Sequence, residues 1–132
     1  MSIRATAACK GLSWDETPHD EAPGEPKLTT VHARNRYSGD WEGEGILCLL
    51  MAYVGDQAVH YTGLERVTGS LDSKKGSFLL KHDGIFEDGL AKTTWTVVPG
   101  SGTDELAGLR GKGGFASGHA EESPVTLEYE FA

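Results

Sequence analysis

The segment Val125-Thr126-Leu127-Glu128-Tyr129-Glu130-Phe131 alternates strictly between apolar and polar side chains. Successive side chains of a strand point to opposite faces, so Val125, Leu127, Tyr129 and Phe131 share one face and Thr126, Glu128 and Glu130 the other. The pattern predicts a half-buried strand and excludes a helix, whose apolar stripe needs a spacing of three or four. The same period runs through most of the chain. Residues 3–9, 28–37, 43–53, 58–68, 77–83, 90–98 and 112–117 read as further strands. Turns fall at 38–40, at Gly55-Asp56 and within 69–76, and 84–89 reads as a short extension. Ser101 followed by Asp104 resembles a capping box and predicts one helical turn over 104–109. Residues 14–26 hold three prolines and five acids, which predicts a long loop acting as a lid, because proline removes backbone donors.

Short strands at a spacing of about 8–12 residues indicate a sandwich or a barrel. Eight antiparallel strands close well into a barrel whose interior holds side chains or one small ligand. The expectation is an all-β, single-domain, eight-stranded antiparallel barrel over residues 1–132, calycin-like in shape. The 18 glycines fit it, being scattered between apolar runs where turns and bulges need them.

Composition narrows the function. A formal net charge of −8 excludes a polyanion partner, because nucleic acid binding needs clustered Lys and Arg. Cys9 and Cys48 lie far apart without a CxxC pattern, which argues against a disulfide framework or a zinc site and for a reduced, cytoplasmic setting. Thr6-Ala7-Ala8-Cys9 looks superficially like a lipoprotein cleavage site but lacks the apolar stretch before it. No segment approaches a membrane helix. The five histidines form no HxxxH pair, so no metal is expected. Gly111-Lys112-Gly113 lacks the Ser or Thr of a phosphate loop, and neither GxGxxG with a βαβ unit nor GxSxG occurs, so no cofactor is expected.

The third strand carries a continuous apolar run over 46–52, which predicts cover on both of its faces. The covering element is expected to be a second copy of the chain, giving a homodimer or higher homo-oligomer. Alternation places Glu42, Glu44, Ile46, Cys48 and Leu50 on one face. Were that face to look inward, two carboxylates would stand near a barrel mouth. Glu65 shares a face with Tyr61, Gly63 and Val67, and His82 with Phe78 and Leu80. Enclosed carboxylates and a core-facing histidine are candidates for proton transfer, against the plainer readings of a solvated rim and a hydrogen-bonded core residue. Tyr61, Trp95, Tyr129 and Phe78 are candidate cavity walls, and Trp14 and Trp41, which border loops, candidates for a pocket mouth or a subunit contact.

Several segments together carry a family resemblance. They are Tyr37-Ser38-Gly39-Asp40 with Glu42-Gly43-Glu44-Gly45, Gly63-Leu64-Glu65-Arg66, Gly76-Ser77-Phe78, and Trp95-Thr96-Val97-Val98-Pro99-Gly100-Ser101-Gly102-Thr103 leading into Leu106-Ala107-Gly108-Leu109-Arg110-Gly111. Over nearly its whole length the chain resembles an uncharacterised bacterial domain-of-unknown-function family associated with the allene oxide cyclase-like barrel. The resemblance implies an eight-stranded barrel, commonly oligomeric, whose wider fold includes cofactor-free cyclases and isomerases. The plant cyclase's catalytic constellation has no matching motif here.

Two functions follow as expectations. One is a cofactor-independent cyclase or isomerase acting on a small, largely apolar metabolite such as a polyketide-like intermediate of natural-product biosynthesis. Glu65, His82, Glu44 or Glu42 would move the protons. The other is a non-catalytic barrel that binds or carries a hydrophobic small molecule; a barrel filled by side chains and acting through its outer surface is the plainer reading.

Overall fold

The computed structural model describes residues 2–19, 22–55, 58–118 and 122–132. Eight strands run up and down in chain order: β1 (Ile3–Pro18), β2 (Lys27–Gly39), β3 (Trp41–Val54), β4 (Ala58–Leu71), β5 (Lys74–Glu87), β6 (Leu90–Val97), β7 (Leu109–Ser117) and β8 (Glu122–Phe131). Every neighbouring pair is antiparallel, and β8 returns to β1 to close the barrel. Closure gives every strand two neighbours, which is how an all-β chain of this size limits edge-to-edge association. Among the described residues no helix is long and apolar enough to cross a membrane, and no group of three or more His, Cys, Asp or Glu side chains is placed to hold a metal ion.

The strands are longer than alternation alone indicates. β4 and β5 pair up to Leu71 and Lys74, so the turn expected within 69–76 contracts to Asp72-Ser73. Both residues have positive φ, 46° and 72°, the primed-turn geometry that matches strand twist. The loop expected over 14–26 starts later in the chain, after Pro18. Residues 14–18 belong to β1 and pair with β2 in the register Trp14↔Ala33, Glu16↔Val31 and Pro18↔Thr29. Pro18 is tolerated because it is the last residue of the strand. Asp20 and Glu21 of that expected loop, and Asp56 of an expected turn, lie outside the described residues.

A bulge between Gly11 and Ser13 inserts Leu12 into β1. The extra residue reverses the inside–outside phase, so Cys9 faces inward before the bulge and Trp14 and Glu16 face inward after it.

The two halves of the interior differ. The half nearest the β2–β3 and β4–β5 turns is filled by Tyr37, Trp41, Phe78, Leu80, Trp95, Leu127 and Tyr129. A single 3-10 turn, Asp104–Leu106, closes that end by burying Leu106 to 1% exposure. The expected capping box is not formed. Thr103 occupies the N-cap position without a capping side-chain bond, and Ser101 Oγ instead accepts from the Leu79 amide at 3.0 Å. The Thr103 amide donates to the Ser77 carbonyl at 2.9 Å, and Thr103 Oγ1 accepts from the Ser77 amide at 2.9 Å. These bonds fasten the plug to β5. The other half is lined by Val31, Ala33, Leu47, Leu49, Met51 and Tyr61. Only one face of β3 is covered within the chain: Leu47 and Leu49 are buried, whereas Ile46 and Leu50 remain 57% and 54% exposed.

Leu106→Ala removes the plug's only buried side chain. It is expected to destabilise the barrel by about 2–4 kcal/mol, the usual range for a large-to-small change at a site that cannot collapse. Urea unfolding followed by tryptophan fluorescence measures it.

Candidate functional site

The half of the barrel that side chains leave unfilled encloses a cavity of 560 Å³. Leu47, Leu49 and Met51 of β3, with Val59, Phe86 and Phe115, make its walls apolar. Polar groups gather at its floor and rim.

The floor is built around Glu65, which is fully buried at mid-barrel. A carboxylate removed from water must be compensated by donors, and β2 and β5 supply them. Glu65 Oε1 accepts from His82 Nε2 at 2.7 Å. Glu65 Oε2 accepts from the Tyr37 hydroxyl at 2.7 Å and from Asn35 Nδ2 at 3.4 Å. An ionised carboxylate can only accept, so with Glu65 charged the proton shared with His82 sits on Nε2. The arrangement has a steric requirement on β3. A Cβ at Gly45 would lie 1.8 Å from Glu65 Oε2, so only glycine leaves room for the carboxylate.

Glu65 itself does not line the cavity; His82, Tyr37, Asn35 and Cys9 do. His82 stands between the carboxylate and the open space. Its ring meets Trp95 edge-on at 5.2 Å and 73°, and Trp95 Nε1 donates to the Thr126 carbonyl at 2.9 Å, which fixes the indole. Among the described residues Nδ1 of His82 has no hydrogen-bond partner.

The neighbours of Glu65 are held in their neutral forms. Burial, then the Glu65 charge, pushes the Tyr37 phenol well above its ordinary range, so it stays a donor. Burial, then the same charge, outweighs a hydrogen bond from Tyr37 and raises the Cys9 thiol to about 12. Cys9 is therefore a wall and not a nucleophile. Higher up, the Tyr61 hydroxyl and Thr93 Oγ1 pair at 2.7 Å.

The rim has its own acid. Glu16 Oε2 accepts from the Tyr53 hydroxyl and from Thr29 Oγ1 at 2.7 Å, and Oε1 from Trp14 Nε1 at 3.3 Å. Burial alone would raise this carboxyl, but the three hydrogen bonds and the Lys27 charge outweigh it and hold it below the usual carboxylate range.

The sequence candidates divide accordingly. Glu65 and His82 are brought together, Tyr61 and Trp14 line the cavity, and Trp95 backs His82. Phe78, Trp41 and Tyr129 are core below the floor. Trp41 packs on Tyr37 at 5.4 Å and on Trp95 at 6.3 Å, and Tyr129 donates to Asp72. Glu42 and Glu44 do not belong to the site. Trp41, Gly45, Leu47 and Leu49 take the inward positions of β3, which turns both acids outward, and Glu44 meets Arg34 and Arg36 at 3.7 Å on the outer surface. Asn35 and Tyr37 were legible as polar groups in phase with Val31 and Ala33 on β2. Glu16 was hidden by the bulge.

The family described as "Protein of unknown function (DUF3224)" matches residues 5–129. A solved protein of unknown function from the DUF3224 family of Shewanella oneidensis MR-1 is similar at 25% identity, covering 100% of this chain and 99% of that one, with a TM-score of 0.82. No curated protein matches the chain.

Thiol counting tests the environment of the floor. Near pH 8 a thiol held at about 12 is almost wholly protonated, so Ellman's reagent is expected to reach Cys9 only on denaturation. Rapid reaction of both thiols in the native state would show that the floor is not as described.

Proposed function

The chain belongs to the DUF3224 family, and we propose that its barrel is a cofactor-independent cyclase or isomerase for a small, largely apolar metabolite bound in the cavity. The observation that carries this reading is the His82–Glu65 pair, buried at 2.7 Å and presented by its imidazole to an otherwise apolar chamber. Packing alone does not call for that arrangement: a leucine pair would fill the same space without three compensating donors.

In this reading His82 is the acid–base and Glu65 the positioning residue. With Nε2 committed to Glu65, Nδ1 is the nitrogen that takes a proton from an acidic C–H of the substrate. The imidazolium so formed is stabilised by the Glu65 carboxylate, and the proton returns to a different atom of the same molecule. Isomerisation and cyclisation of this type need no net proton, electron or co-reactant. Apolar walls strengthen the pair's electrostatics by excluding water and hold a flexible substrate in a reactive conformer. Tyr37 and Asn35 fix the carboxylate, which fixes the ring. The family resemblance to cofactor-free cyclases supports the same class by fold analogy alone. The second reading, a carrier of the same kind of molecule, uses the apolar walls and leaves the pair without a chemical role.

The test is deuterium wash-in from D2O into neutral cyclic ketones small enough for the cavity, with binding followed by tyrosine and tryptophan fluorescence. Exchange above the buffer rate is expected, and His82→Gln should lower it by about 100-fold or more without weakening binding. Glu65→Gln should lower the rate while the barrel stays folded. Ketones that bind without exchange favour the carrier. Failure of every apolar probe to bind contradicts both readings.

A further inference from the structure

The outer surface is chemically lopsided. On β7, β8 and the start of β1 the outward positions include Arg110, Lys112, Glu128, Glu130 and Arg4. On β2 to β4 they include Leu28, Ile46, Leu50 and Leu64, which are 52%, 57%, 54% and 49% exposed. Apolar side chains of that size clustered on one side of a small barrel mark an interaction surface.

We infer that this face joins two copies of the chain in an isologous dimer, strand over strand, with the two-fold axis crossing β3 between Cys48 and Leu50. The inference is independent of the cavity's chemistry. The strand registers define outward rows across β2, β3, β4 and β5: Arg34, Ile46, Arg66, Leu79; then His32, Cys48, Leu64, Lys81; then Thr30, Leu50, Thr62, Asp83; then Leu28, Ala52, His60, Ile85. A two-fold axis lying in the interface and perpendicular to the strands sets the second row on the third and the first on the fourth.

Two features of the face are complementary under that operation. Lys81 and Asp83, both exposed and in no ion pair with another described residue, fall on Asp83 and Lys81 of the second copy. Ile46, the most exposed of the large apolar residues, falls on the second copy's Ala52. The small Ala52 side chain sits in a surface depression of 330 Å³ flanked by Leu28, Leu50 and His60. Protrusion therefore meets hollow and cation meets anion, each twice.

Sedimentation at micromolar concentration is expected to give twice the chain mass of 14.1 kDa. Leu50→Glu, on the outer surface and remote from the core, should yield a folded monomer with an unchanged circular dichroism spectrum. Lys81→Glu should weaken the dimer by about tenfold or more through like-charge contact, and adding Asp83→Lys to the same chain should restore it. A monomeric wild-type protein, or a Leu50→Glu variant that stays dimeric, overturns the interface. Failure of the charge swap to restore association overturns the axis.

Discussion

A carboxylate with no exposure, at the middle of a barrel only 132 residues long, is the constraint on which the rest of the interior depends. Glu65 is tolerated there because an imidazole, a phenol and an amide from β5 and β2 all aim at its two oxygens. An uncompensated buried carboxylate would be strongly destabilising, so each partner's place is dictated by the acid. The need extends to residues with no polar role. Gly45 is glycine because a single methyl would occupy the carboxylate's position, and Trp95 is anchored to the Thr126 carbonyl where its edge supports the imidazole.

The acid also marks the boundary between two kinds of interior. Below it the barrel is packed with aromatic and aliphatic side chains and closed by Leu106. Above it the walls are apolar but stand apart around 560 Å³. Close packing throughout would be the more stable arrangement, since voids forfeit dispersion contacts. An open half next to a polar pair that only His82 presents to it is what a ligand site requires.

The strands were readable because most of them keep period two, and in β4 and β5 the phase was readable as well. Glu65 could be counted inward from Tyr61 and Val67, and His82 from Phe78 and Leu80. In β3 the phase could not be counted, because the apolar run over 46–52 looks the same from either face. What sets it is register: Trp41 and Gly45 must face inward, the latter to admit a side chain from another strand. The first strand failed for two local reasons. Prolines and acids over 14–26 carry loop propensity, yet pairing with β2 extends β1 as far as Pro18. The inserted Leu12 then reverses the alternation, which turns Glu16 inward to join Trp14 at the cavity rim. A bulge leaves no periodic trace in one sequence, because its evidence is the partner strand's register.

The account rests on His82 Nε2 donating to Glu65, with Nδ1 turned to the cavity. Long-range nitrogen–proton correlation spectra of the histidine rings, assigned through His82→Gln, report which nitrogen carries the proton. The account predicts a protonated Nε2 on His82 with a strongly deshielded proton that moves in Tyr37→Phe. An unprotonated, pyridine-type Nε2 would contradict it.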